Sequence, residues 1–212
     1  MVKTAAIFVH GLFLNGAEFT LLRRRLSAAH GLETHRFNYP TVTGSMEQAV
    51  DALGRLVASI DAERIHFVAH SLGGVVLCNY FQDDRDPRTG RVVMLGSPLA
   101  GSRSARAVAK HAVLRRVVGR IVAAELLAER EPRTWTSGRE LGLVAGTKPM
   151  GLGRFFARFD EDCDGTVAVS ETKLPGYKDH VTVASSHMGM LVSPLVARQV
   201  GAFLASGRFT RD

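Results

Sequence analysis

The chain predicts an α/β fold: a three-layer α/β/α sandwich built on a mostly parallel sheet of six strands. Three observations carry that expectation. Short apolar runs alternate with segments whose apolar residues recur at helical spacing, as in strands joined by crossover helices. At 212 residues, 46% of them hydrophobic, the chain can bury one good core, so a single domain over 1–212 is expected. The run Ile65–Leu77 reads as a strand that turns at once into a helix, with Ser71 at the apex.

In order, Thr4–Val9 reads as a short buried strand that ends at His10-Gly11-Leu12-Phe13. Glu18–Ala29 has Phe19, Leu22 and Leu26 at helical spacing. Thr34–Tyr39 is a second strand, closed by Pro40. Ser45 is a natural N-cap for a helix to about Ile60, with Met46, Val50, Leu53, Leu56, Val57 and Ile60 on its apolar face. Ile65–Ala69 and Leu72–Phe81 flank the serine. Arg91–Leu95, Leu141–Ala145 and Val181–Ala184 complete the strands, and a helix over Pro194–Ala205 follows. A parallel sheet carries its site on the loops at the strands' carboxyl ends, where Gly11, Ser71, Ser97 and His187 all fall.

A serine at a sharp strand-to-helix turn needs small neighbours two positions away, and Ala69 and Gly73 meet that need. Gly74 is expected to let the helix approach the sheet. The free N–H groups of the new helix then face any oxyanion formed at the serine. Ala69-His70-Ser71-Leu72-Gly73 resembles the G-x-S-x-G motif of the α/β-hydrolase superfamily, with alanine for the first glycine, and is closest in pattern to minimal bacterial lipases and esterases.

That resemblance implies the remaining roles. His10-Gly11 matches the H-G pair after the first strand, which makes the backbone N–H groups of Leu12 and Leu72 the oxyanion hole, with the Phe13 N–H as the neighbouring alternative. His187 follows the sixth strand, where this fold delivers its base; His180 is placed before that strand, and His70 is expected to diverge from the serine. Asp164-Gly165-Thr166-Val167 resembles the acid loop, which selects Asp164, with Asp160 and Asp162 as alternatives. The order Ser71, Asp164, His187 is the fold's own. Because His10-Gly11 comes so early, the N-terminal antiparallel strands of larger hydrolases are expected to be missing.

A competing motif overlaps the acid loop. Asp160, Asp162, Asp164, Gly165 and Glu171 fit the calcium-loop pattern D-x-D-x-D-G-x5-E. Leu152–Phe159 offers a helix on one side, but Lys173-Leu174-Pro175-Gly176 is a poor helix start on the other. No metal and no cofactor are expected, and structural calcium on Asp160 and Asp162 is the alternative.

Residues 99–138 form an insertion between the fourth and fifth strands, expected to be a cap. Val113, Leu114, Val117, Val118, Ile121 and Val122 form one stripe, with Arg115, Arg116 and Arg120 opposite. Its basic residues outnumber its acidic ones eight to three, within a chain of net charge +7. A roof over an acyl pocket, a surface for anionic lipid or acyl-CoA phosphates, and a plain solvated face are the three readings. Nucleic acid fits poorly, because no aromatic residues interleave the arginines. Phe13 and Met188 are the expected substrate contacts; Met190, Leu191 and Phe19 are either pocket or core. Cys78 reads as a packed free thiol. Met1-Val2-Lys3-Thr4 runs straight into a strand with no leader pattern, and no apolar run approaches a membrane span, so a cytoplasmic location is expected.

The sequence therefore predicts a serine hydrolase of carboxylic esters acting on a small acyl ester, esterase- or lipase-like. Acyl-thioester hydrolysis is the alternative, followed by a non-catalytic binding protein of the same fold. The basic cap adds the expectation of a weak contact with a membrane surface.

Overall fold

The computed structural model describes residues 2–83, 86–110, 118–128, 131–150 and 159–211. Six strands, β1 (Thr4–Val9), β2 (Glu33–Phe37), β3 (Arg64–His70), β4 (Thr89–Leu95), β5 (Leu141–Gly146) and β6 (Asp179–Val183), pair in the order β2-β1-β3-β4-β5-β6. Every pairing is parallel, so the sheet is parallel throughout. From β1 the chain steps outward to β2, then returns to the other side of β1 as β3. That reversal opens a crevice at the carboxyl ends of β1 and β3, where parallel sheets place ligands.

Among the described residues the α-helices are α1 (Thr20–His30), α2 (Met46–Ser59), α3 (Leu72–Tyr80), α4 (Arg103–Ala109), α5 (Gly119–Val122) and α6 (Pro194–Ser206). Alternation along each strand divides the core between two faces. Ala5, Ile7, Val9, Phe67 and Met94 pack with α2 and α3. Ala6, Phe8, Val68, Val93 and Val144 pack with α1 and α6. The Ser45 hydroxyl accepts the Gln48 N–H at 3.2 Å while the Gln48 side chain accepts the Ser45 N–H at 3.0 Å, a closed capping box on α2.

Several boundaries differ from the sequence reading; β4, for one, starts at Thr89 rather than Arg91. A 3-10 turn, Ala17–Phe19, precedes α1. β2 ends at Phe37 rather than Tyr39, because Tyr39 leaves the ladder to bind His10: its N–H donates to His10 Nε2 (3.2 Å) and its hydroxyl to the His10 carbonyl (2.9 Å). β6 starts at Asp179, so His180 lies inside that strand, not before it. Asp179 there accepts the Phe209 N–H at 2.9 Å and pairs with Arg211, which fastens the tail beyond α6.

Of the insertion, α4, α5 and a π-helical turn, Ala123–Leu127, are described. Val118, Ile121 and Val122 of the expected stripe are buried in the core on the α2–α3 face, with Arg120 exposed. Val113, Leu114, Arg115, Arg116 and Val117 lie outside the described residues, as do 152–158 of the helix expected over Leu152–Phe159. The buried Glu125 pairs with Arg133 at 3.0 Å and accepts the Asn79 side-chain N–H at 3.3 Å, which ties the insertion to α3.

Candidate active site

Ser71 stands between β3 and α3 at φ 54°, ψ −123°, a conformation that costs an L-residue energy and must be imposed by its surroundings. The imposition is steric. A Cβ on Gly73 would lie 2.2 Å from the Val9 carbonyl oxygen, so glycine there lets the start of α3 touch β1. Gly74 lets α3 lie against β4 and the loop after it: a Cβ there would stand 2.2 Å from the Ser97 hydroxyl and 3.1 Å from Met94 Sδ. The Ser71 N–H donates to the Leu95 carbonyl at 3.0 Å, which pins the turn to β4.

Two backbone N–H groups beside the serine, those of Leu12 and Leu72, have no hydrogen-bond partner among the described residues. The neighbouring alternative is spent: the Phe13 N–H donates to Thr41 Oγ1 at 3.2 Å, with Phe13 itself at φ 61°. His10 holds this loop from below. Its Nδ1–H donates to the Gly11 carbonyl at 2.9 Å, and its ring stacks on Tyr39 at 4.5 Å and 19°. Burial raises the Tyr39 phenol well above its usual range, so the hydroxyl stays a donor.

On the far side, the His187 Nδ1–H donates to Asp164 Oδ2 at 2.7 Å, both side chains being buried. Asp164 Oδ1 accepts the N–H groups of Thr166 (2.9 Å) and Val167 (2.7 Å), and its carbonyl accepts the His187 N–H (2.9 Å). The carboxylate is thus gripped on one oxygen and directs the imidazole with the other, leaving His187 Nε2 as an acceptor. Asp160 and Asp162 are exposed and take no part in this pair. Ser71 Oγ makes no hydrogen bond among the described residues, but Ser71 and His187 line one cavity. Contacts of this kind commonly tighten only once substrate is bound.

Sequence reasoning missed two neighbours. His70 packs its ring on that of His187, with centroids 4.5 Å apart, and its Nε2–H donates to the His187 carbonyl at 3.1 Å. Complete burial, with the adjacent His187 as a lesser cause, holds His70 well below the usual histidine pKa, so it is neutral. Gly96, at φ 53°, leaves the space in which the Asp164–His187 pair sits; a Cβ there would be 2.8 Å from Asp164 Oδ2 and 3.1 Å from His187 Nδ1. No local sequence pattern announces either contact, since both depend on which strands become neighbours.

The calcium pattern is a hydrogen-bonded loop here. Asp164 is committed as described, and Glu171 accepts the N–H groups of Arg103 (2.6 Å) and Ala168 (3.0 Å). Among the described residues no three His, Cys, Asp or Glu side chains converge as metal ligands. Cys78 and Cys163 are free and buried, and burial pushes the Cys78 thiol up to about 12.

The cavity holds about 570 Å³. Its floor carries Ser71, His187 and Leu12, and Ala105, Val108, Val118, Val122 and Leu126 from the insertion form one wall. Phe13 and Met188 line it at the rim, 60% and 48% exposed, beside the exposed Met150. Met190, Leu191 and Phe19 belong to the core under α1 and α6 instead.

A family model described as the alpha/beta hydrolase family matches residues 6–206. The chain belongs to the alpha/beta hydrolase family. Among solved structures, this hydrolase is similar to the lipase BlEst2 of Bacillus licheniformis, at 17% identity and a TM-score of 0.72, over 96% of this chain and 91% of that one. It is similar to the carboxylesterase CesB of Bacillus subtilis, at 14% identity and a TM-score of 0.60, over 97% and 84% of the two chains. The metagenomic carboxyl esterase MGS0156 matches at 18% identity and a TM-score of 0.63, over 88% of this hydrolase and 65% of that chain. At such identities the likeness is one of fold. No curated protein sequence matches the chain.

Proposed function

We propose that this hydrolase cleaves carboxylic esters through an acyl-enzyme formed on Ser71. The observation that carries the reading is the His187–Asp164 hydrogen bond of 2.7 Å beside a strained serine at a strand-to-helix turn. His187 Nε2 takes the Ser71 proton as Oγ attacks the acyl carbonyl. Asp164 fixes the tautomer and stabilises the imidazolium. The unpartnered N–H groups of Leu12 and Leu72 receive the oxyanion. His187 then gives its proton to the departing alcohol, and water, deprotonated by the same nitrogen, releases the acid and restores the serine.

The apolar wall from residues 99–138, read as a cap, favours an acyl chain over a polar group, with Phe13 and Met188 meeting the substrate at the mouth. The thioester alternative needs cations to hold a phosphorylated carrier: Arg103 pairs with Glu161 and Glu171 and Arg133 with Glu125, whereas the exposed Arg106, Lys110 and Arg120 make no ion pair among the described residues, so thioester hydrolysis is the second reading. Among the described residues no helix is long and apolar enough to cross a membrane. The test is hydrolysis of p-nitrophenyl esters by the wild type and by Ser71→Ala. We expect turnover in the wild type and a loss of about 10⁴-fold or more in the variant, with unchanged melting. Equal turnover in the two proteins would overturn the reading.

A further inference from the structure

The cap-side wall of the cavity has a second hollow behind it. That hollow, of about 360 Å³, has an apolar side of Leu99, Pro132, Leu174 and Pro175 and a charged side of Arg106, Glu125, Glu131, Arg133 and Lys173. Leu126 is the one described residue that lines both spaces. It is buried, and as the residue common to both linings it stands where the two spaces meet.

The backbone that carries Leu126 is unusual. Ala123–Leu127 is a π-helical turn, closed by the Ala128 N–H donating to the Ala123 carbonyl at 3.2 Å. Such turns insert an extra residue into a helix, re-aim the side chains on it and recur at functional sites. The preceding residue, Glu125, is anchored to Arg133 and Asn79, so the turn is held against α3. Leu126 therefore meets an incoming chain as a fixed stop rather than a yielding surface.

We infer that Leu126 is the specificity-determining residue that sets the longest acyl chain this hydrolase accepts. The inference rests on the ester-hydrolase reading of the same site. The substrate class it names is esters of a single unbranched acyl chain whose methyl end abuts Leu126. Methylenes that fit in front of the partition leave water and strengthen binding; those beyond it must fold back toward the mouth or stay exposed. Removing the partition joins the two spaces, so a longer chain continues into the hollow lined by Leu99 and Leu174.

The experiment measures kcat/KM over a chain-length series of p-nitrophenyl esters for the wild type, Leu126→Ala and Leu126→Trp, with melting followed for each. In Leu126→Ala the optimum moves to longer chains, each methylene beyond the wild-type optimum gaining about fourfold instead of losing activity. Short esters change by less than about threefold, since they do not reach the partition. In Leu126→Trp the optimum moves to shorter chains. If Leu126→Ala does not fold, the shift in Leu126→Trp decides alone. An unchanged optimum in the folded variants, or a uniform loss at all lengths, overturns the inference and leaves the hydrolase reading standing. A wild type inert to every ester overturns that reading; displacement of a fluorescent fatty acid by a chain-length series of fatty acids, with the same expected shifts, then decides the partition.

Discussion

The floor of the cavity is placed by backbone, whereas the wall from the insertion, its roof in the proposed reading, is made of interchangeable apolar side chains. At the floor, Ser71 is forced to φ 54° by the closeness of Gly73 to the Val9 carbonyl, and Asp164 is gripped by two N–H groups. At the roof, Ala105, Val108, Val118 and Val122 offer only surface and volume. Hard steric limits admit few residue types, but a packed apolar wall tolerates many of similar volume. Changes at the floor should therefore appear in kcat, and changes at the roof in which chain is preferred.

Asp164→Asn tests this contrast most severely. The amide cannot grip the backbone and direct the imidazole in the same way, so kcat should fall about 10⁴-fold with little change in KM. Steady-state kinetics on a short ester checks this, and a fall below tenfold would move the acid elsewhere on its loop.

Thr41→Val comes next. It removes the acceptor of the Phe13 N–H at 3.2 Å while keeping side-chain volume, and so frees the strained loop that carries the Leu12 N–H. We expect kcat to fall about tenfold with KM nearly constant, and Thr41→Ser to restore most of it. A change in KM alone would mean that Thr41 serves binding and not the oxyanion.

Low pH should loosen the floor and the amino-terminal end of β3 together. Burial lowers the His66 pKa to about 4, and holds His70 well below the usual value. Unfolding frees both to titrate near 6.5, so below that pH the unfolded chain binds more protons and stability falls until the folded pKa is passed. Urea midpoints should be constant above about pH 7 and decline from about 6.5 toward 4. The His66 ring accepts the Arg91 N–H at 2.9 Å, where two residues of β4, Gly90 and Arg91, oppose one of β3. His66→Asn can keep an acceptor there without the titration, and should flatten part of that decline. An unaltered slope would place the pH dependence in other groups.

The smallest effect belongs to the roof. Val108→Ile adds one methylene to a half-buried wall and should change kcat on a short ester by less than about twofold. A kcat loss as large as that of Thr41→Val would erase the difference between floor and roof.

The same contrast explains what a reader of the sequence can see. The strand-turn-helix around Ser71, the N-cap at Ser45 and the apolar stripe of the helix it starts are local, and each follows from residue types at fixed spacings. The hydrogen bond between Asp164 and His187 is legible only through resemblance to a known acid loop. Tyr39, Thr41, His70 and Gly96 were not legible as parts of the site. Their contacts depend on β2 lying beside β1, and on β4 and β5 bringing their following loops together, which no short stretch of sequence encodes. The roof is least legible, because any apolar helix of the right volume would serve.

The central claim is that Ser71 is a nucleophile activated by His187. It is tested most directly by treating the protein with a p-nitrophenyl alkylphosphonate and mapping the adduct by peptide mass spectrometry. The account predicts one phosphonate on the peptide containing Ser71, released p-nitrophenol in equal amount, and sharply slower labelling in His187→Ala. Labelling on another residue, or at equal rate in His187→Ala, would contradict it.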